Sequence, residues 1–191
     1  MSVSAALLWA ALAVLLIYAV LIYNGLVRLK HNVARAWSNI DVLLKQRHDE
    51  LPKLVEVCRH YKQFEQDTLL RVTEARARVS QARQAHDLPA LGAAETQLRT
   101  GLGQIFAVLE AYPELKANEH FMQLAARITA LENAIADRRE WYNESVNAHN
   151  IRIEQFPDIL VARLFGYTAQ PLLRFANAEK ADVDIKALLG A

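Results

Sequence analysis

From Ser2 to Val27 the chain carries no charged side chain, and Ala5 to Tyr23 is an unbroken apolar run. No other feature narrows the fold as far. A hydrocarbon core of about 30 Å takes roughly 20 helical residues to cross, and the run has that length. In lipid a single segment must satisfy its own N–H and C=O groups, so the run has to be helical. Trp9 and Tyr23 lie near its two ends, where interfacial aromatic rings are expected. A cleaved signal peptide would carry a basic stretch in front and small residues at the exit. Met1 to Ser4 contains no Lys or Arg, and Leu21-Ile22-Tyr23-Asn24 is bulky. The expectation is an uncleaved transmembrane anchor over residues 1–28.

Its direction follows from the flanks. Arg28, Lys30 and Arg35 come after the run, with His31 among them, and the first acid is Asp41. Positive charge stays cytoplasmic, which predicts the N-terminus outside and the body inside. The same three bases are placed to meet anionic head groups of the bilayer.

Beyond the anchor, 22 Lys and Arg over the whole chain face 21 Asp and Glu, a formal net charge of +1. That balance argues against a nucleic-acid binder, which must neutralise many phosphates. The single cysteine, Cys58, excludes an internal disulfide and sits in an apolar stripe, as a small core side chain would.

Apolar residues recur at three- and four-residue steps along residues 29–166, which is a helical period. One stripe runs from Val33 through Trp37, Ile40, Leu44, Arg47, Leu51, Leu54, Cys58, Tyr61, Glu65, Thr68, Val72, Ala75 and Val79 to Ala82. It reads as one long helix, kinked at Pro52 and ending near His86 to Pro89. A second stripe takes Leu88, Leu91, Glu95, Leu98, Leu102, Ile105, Leu109 and Tyr112. Gly101 and Gly103 either weaken this helix or allow a close helix contact. A third begins after Asn118, which reads as its N-cap. It takes Phe121, Leu124, Ile128, Leu131, Ile135, Arg138 and Tyr142, then drifts to Val146, His149 and Ile153 before Phe156-Pro157. Residues 158–165 read as one more short helix, stopped by Gly166. The predicted fold is all-α: an N-terminal transmembrane helix, then a long-helix antiparallel bundle of three main helices plus a short C-terminal helix. Residues 167–191 are weakly patterned and read as a tail.

Two groups of residues stand out. Arg47, Glu65, Glu95 and Arg138 occupy stripe positions where apolar side chains are expected. Buried without partners they would cost several kcal/mol each. They either set register and select partners, as seam polar residues do in coiled coils, or sit at a rim and snorkel. Second, Phe156, Ile159, Leu160, Leu164 and Phe165 crowd more apolar surface into a short span than one stripe holds. A simple up-down bundle would end far from the bilayer, which favours docking on another subunit over a membrane contact, with packing inside the chain the other reading.

Chemistry is hard to place. The six histidines supply neither Glu-x-x-His on facing helices nor His-Glu-x-x-His. His149 reads as a core histidine and His48-Asp49-Glu50 as a solvated turn edge. Cys58 and His60 fall on different helix faces, and Gly101-Leu102-Gly103 follows no strand, so it is no phosphate loop. The expectation is no catalytic residues, no metal, no cofactor and no enzyme.

Several segments resemble the LemA family. They include Tyr23-Asn24-Gly25-Leu26-Val27, Ala36-Trp37-Ser38-Asn39-Ile40-Asp41-Val42 and Lys45-Gln46-Arg47-His48-Asp49-Glu50-Leu51-Pro52. Further on come Thr73-Glu74-Ala75-Arg76-Ala77, Ala111-Tyr112-Pro113-Glu114-Leu115-Lys116-Ala117-Asn118-Glu119, Arg139-Glu140-Trp141-Tyr142-Asn143 and the run from Asn150 to Gly166. The resemblance implies a bacterial, single-span, helical protein of the inner membrane with no established catalytic residues. A magnetosome-membrane relative of that family adds a link to membrane organisation. The functional expectation is a membrane-anchored scaffold that forms homo-oligomers and organises membrane or partner proteins. The alternative is a monomeric or dimeric adaptor of a membrane enzyme such as a protease, and the membrane-protein partner has no signature in the sequence.

Overall fold

A computed structural model of the protein describes residues 2–60, 66–108 and 112–175. These form α1 (Val3–Arg59), α2 (Gln66–Ala85), α3 (Leu88–Val108), α4 (Pro113–Lys116), α5 (Glu119–Glu154) and α6 (Asp158–Leu164). No strand occurs among the described residues. The all-α class, the apolar N-terminal helix and the packed antiparallel helices are as the hydrophobic period predicts. The chain divides into two compact units: Met1–Ile40 with Asp137–Leu172, and Asp41–Ala136 with Leu173–Ala191.

In the second unit, segments of α1, α2, α3 and α5 enclose a core that includes Leu44, Leu51, Leu54, Cys58, Val72, Leu91, Leu98 and Phe121. The stripe read as one helix from Val33 to Ala82 is carried by two. Arg76 Nε donates to the His48 carbonyl at 2.9 Å and Arg83 pairs with Asp41 at 2.9 Å, joining positions 28 and 42 residues apart. Those pairs require α2 to lie antiparallel to α1. The stripe keeps its phase across the reversal, so period alone cannot reveal the fold-back. Residues 61–65, including the stripe positions Tyr61 and Glu65, lie outside the described residues, as do Leu109 and residues 176–191.

Pro52 does not end α1. A proline lacks the N–H that would bond the carbonyl four residues earlier, here that of His48. The Arg76 guanidinium supplies the missing donor.

The next reversal is built from local chemistry. His86 adopts φ 53° after α2, and the Asp87 carboxylate accepts the Ala90 N–H at 2.9 Å, capping α3. Pro89 follows at the second helical position, where no backbone donor is lost. Gly101 decides the open question about the glycines: a Cβ there would stand 2.8 Å from Val72 Cγ2, so the glycine allows α3 to approach α2 closely. A Cβ at Gly103 would meet nothing. Asn118 caps α5 as expected, its Oδ1 accepting the Phe121 N–H at 3.1 Å.

The first unit holds the start of α1, the end of α5, α6 and an extended segment. Ile22, Leu26, Ile153 and Ala162 form a buried cluster, with Val161 and Tyr167 packed on it. Trp37 meets Tyr142 edge-on, with centroids 5.9 Å apart. After Gly166, which takes the left-handed φ of 69° that glycine tolerates, the chain runs back along α5. Asn150 holds it by a reciprocal pair, its Nδ2 donating to the Gln170 carbonyl and its Oδ1 accepting the Gln170 N–H. Tyr142 Oη donates to the Pro171 carbonyl at 3.1 Å. The described beginning of the predicted tail is therefore tied down by specific hydrogen bonds.

Candidate functional site

Two features emerge where the sequence placed its candidate residues. In the second unit, Arg47 from α1 reaches Glu95 from α3 and Glu132 from α5 with separate guanidinium nitrogens. Arg47 and Glu95 are fully buried, and Glu132 is mostly so. Arg99 approaches the other oxygen of Glu132 at 3.5 Å. A lone ion at this depth would be prohibitive, whereas a hydrogen-bonded group of opposite charges is tolerated. Burial pushes the Glu95 carboxyl above the usual range, and the Arg47 charge works against that push.

Arg47 and Glu95 thus pair with each other inside the chain. Glu65 lies outside the described residues. Arg138 is exposed, and Arg139 is the half-buried residue at that level. Here the seam steps by four from Ile135 before stepping by three to Tyr142, so the phase slips one residue from the reading above. Glu132 was missed for a related reason: it follows Leu131 at the edge of the stripe, where a carboxylate reads as solvated. The segment His48-Asp49-Glu50 is no turn edge but mid-helix. Glu50 is buried and holds Lys53 Nζ at 3.1 Å and an Arg127 nitrogen at 3.2 Å.

In the first unit, α6 lies against the end of the apolar run. Ala162 packs on Ile22 and Leu26, and the Phe165 ring stacks at a tilt on Tyr23 with centroids 4.6 Å apart. The simple up-down bundle expected to end this segment far from the bilayer is not what forms: α6 lies with Ile22 and Tyr23, the last residues of the apolar run. Within this unit the end of α5 runs antiparallel to the start of α1, from Tyr142 beside Trp37 to Ile153 in the cluster with Ile22 and Leu26, and brings the chain there. Asp158 is turned inward and takes Arg152 Nε at 3.0 Å, and Ile159 is half-buried. The outward residues are strongly exposed: Phe156 77%, Leu160 62%, Leu164 79% and Phe165 56%. A cleft of about 240 Å³ opens beside them, lined by Tyr23, Lys30, His149, Tyr167 and Gln170 among others. His149 is buried, its Nε2 3.2 Å from the Thr168 carbonyl, as a core histidine should be. Trp9, Arg28, Lys30 and Arg35 are all exposed.

Other reactive groups are muted by their surroundings. Cys58 is fully buried, and burial pushes its thiol up to about 12. No cluster of three or more His, Cys, Asp or Glu that could hold a metal ion occurs among the described residues.

An all-α bundle closed around buried ions, with one helix among the described residues long and apolar enough to cross a membrane, defines the class of this protein. The chain belongs to the LemA family, whose profile matches residues 36–186. It is similar to Protein LemA of Metamycoplasma hominis, with 27% identity over 165 residues covering 86% of this chain and 74% of that protein. It is also similar to Magnetosome protein MamQ 2 of Paramagnetospirillum magneticum, at 22% identity, and to Magnetosome protein MamQ of Magnetospirillum gryphiswaldense, at 20%. Each of those matches covers 76% of this chain and 62% of the relative's length.

Proposed function

We propose that the protein is a membrane-anchored, non-enzymatic helical scaffold of the bacterial inner membrane that self-associates and organises membrane or partner proteins. The observation that carries this reading is the bare apolar surface of α1. From Val3 to Leu21 its large apolar side chains are all exposed, so nothing else in the described chain covers them. Water is a poor solvent for such a rod, and lipid is a good one. The basic residues Arg28, Lys30 and Arg35 after the run favour a cytoplasmic body and an outer N-terminus.

Self-association draws support from Ser2, Ala6 and Ala10, which fall four residues apart on one face of the span and let two such helices approach closely. The likeness to proteins named for the magnetosome supports a role in organising a membrane. The body, with its central charges consumed internally, acts in this reading through its surfaces.

The test is the mass of the protein extracted with its native lipid, together with cross-linking in native membranes and mass analysis of the products. Homo-oligomers supporting the scaffold would appear in both measurements. A monodisperse particle the size of one protomer, cross-linked only to a membrane enzyme, would replace the scaffold by the adaptor reading.

A further inference from the structure

We infer that α6 and its flanking residues form a second membrane contact, with Phe156, Leu160, Leu164 and Phe165 seated in the lipid leaflet at the body-side end of the span. The inference rests on the anchor reading above and adds to it a place where the folded body itself enters lipid.

Position carries most of the weight. Ile22 and Tyr23 are the last residues of the apolar run, and these are among the residues α6 packs upon, through Ala162 and Phe165. The apolar surface of α6 is therefore continuous with that of the span. Spacing orients it. Leu160 and Leu164 lie four residues apart on the outward side of α6, while Asp158 and Ala162 are buried on its inward side, and the flanking Phe156 and Phe165 are exposed as well. One side of α6 thus presents Leu160 and Leu164 with nothing among the described residues covering them, the pattern of an amphipathic segment lying in the interface. Charge agrees. Arg163 on α6 and Arg28 and Lys30 just past Tyr23 are exposed cations, suited to head-group phosphates. The one acid on α6, Asp158, is turned inward onto Arg152. A second copy of the chain could also cover apolar groups, but it would not account for their joining the lipid-facing run at the level of these cations.

Depth measurement on the full-length protein in phosphatidylcholine and phosphatidylglycerol vesicles tests this. Cys58 is fully buried, so single cysteines introduced elsewhere can be labelled with an environment-sensitive fluorophore. Leu160→Cys and Leu164→Cys report on α6, and both positions are exposed, so the core is undisturbed. Leu12→Cys reports on the span, and Glu140→Cys is the exposed control on α5 of the same unit. With brominated lipids, the α6 probes should be quenched about threefold more than the Glu140 probe, most by shallow bromines, for a helix buried about 5–10 Å at the head-group boundary. The Leu12 probe should be quenched most by deep bromines. If the Leu12 probe is quenched and the α6 probes behave like the control, the lipid contact is refuted and the anchor stands. If the Leu12 probe is unquenched, the anchor fails and the inference falls with it. Shielding of the α6 probes from aqueous iodide that vanishes when protein is diluted at constant lipid would assign the face to a second copy instead.

Discussion

Replacing Arg47 by leucine should unfold the bundle at a much lower temperature, because the substitution strands charge rather than merely removing a contact. Arg47 faces Glu95 at full burial and Glu132 at 16% exposure. Removing one partner of a buried ion group costs about 3–5 kcal/mol. For a chain of this size each kcal/mol shifts the midpoint by about 2–4 °C, so Arg47→Leu should lower it by about 6–20 °C. Burial already holds the Glu95 carboxyl above its usual range, and without Arg47 that displacement grows. The sign of the pH dependence follows. Below about 4.3 the carboxyl is protonated in both the folded and the unfolded chain, and no penalty arises. As pH rises the unfolded chain ionises first, so stability is lost until the folded carboxyl titrates as well. The variant's deficit should therefore be smaller at mildly acid pH than at pH 8. Replacing Arg47, Glu95 and Glu132 together by leucine should recover most of the loss, since apolar replacement of a whole buried ion group is often neutral or stabilising. Helical circular dichroism during heating in detergent measures all of this. An Arg47→Leu midpoint within about 2 °C of the parent at pH 8, less than one kcal/mol, would mean the ions are not mutually dependent and would refute the reasoning.

Arg76→Ala should cost about 1–3 kcal/mol by leaving the His48 carbonyl without a donor. In a Pro52→Ala background the loss should fall below about 1 kcal/mol, because the restored N–H serves that carbonyl, and equal losses in both backgrounds would disprove the coupling. Cys58, with its thiol pushed up to about 12, should resist maleimide at pH 8 until the chain is unfolded; prompt stoichiometric labelling of the folded protein would contradict its burial. Gly92→Ala would put a Cβ 1.9 Å from the Arg174 carbonyl oxygen. The change should free the segment at Leu173 to Phe175 for faster proteolysis, although alanine is favoured over glycine in a helix by about 1 kcal/mol. Unchanged cleavage would argue against that contact.

Much of the architecture is legible because burial follows period. Ile40, Leu44, Arg47, Leu51, Leu54 and Cys58 on α1, and Leu88, Leu91, Glu95, Leu98, Leu102 and Ile105 on α3, are buried at the positions their spacing predicts. The fold-back between α1 and α2 was not legible. Residues 60–66 contain neither glycine nor proline, and the stripe crosses them in phase. The pairs Arg76 with His48 and Arg83 with Asp41 disclose it. The location of α6 was hidden for another reason: its apolar surplus is plain in sequence, but what lies beside it depends on how far α5 runs back along α1. Of the buried ions, Arg47 and Glu95 were visible as charges at apolar positions. Glu132 was not, since its long side chain reaches inward from the margin of its stripe, and Arg138 shows that one-residue slips in phase decide which charge is inside.

The proline in α1 acts as an address. Apolar stripes on two helices tell them to adhere but leave several rungs nearly equivalent. By deleting a single hydrogen, Pro52 makes one carbonyl on one rung hungry for a donor, and the guanidinium 28 residues downstream answers it. A residue usually classed as a helix breaker here tells a neighbouring helix where to stop.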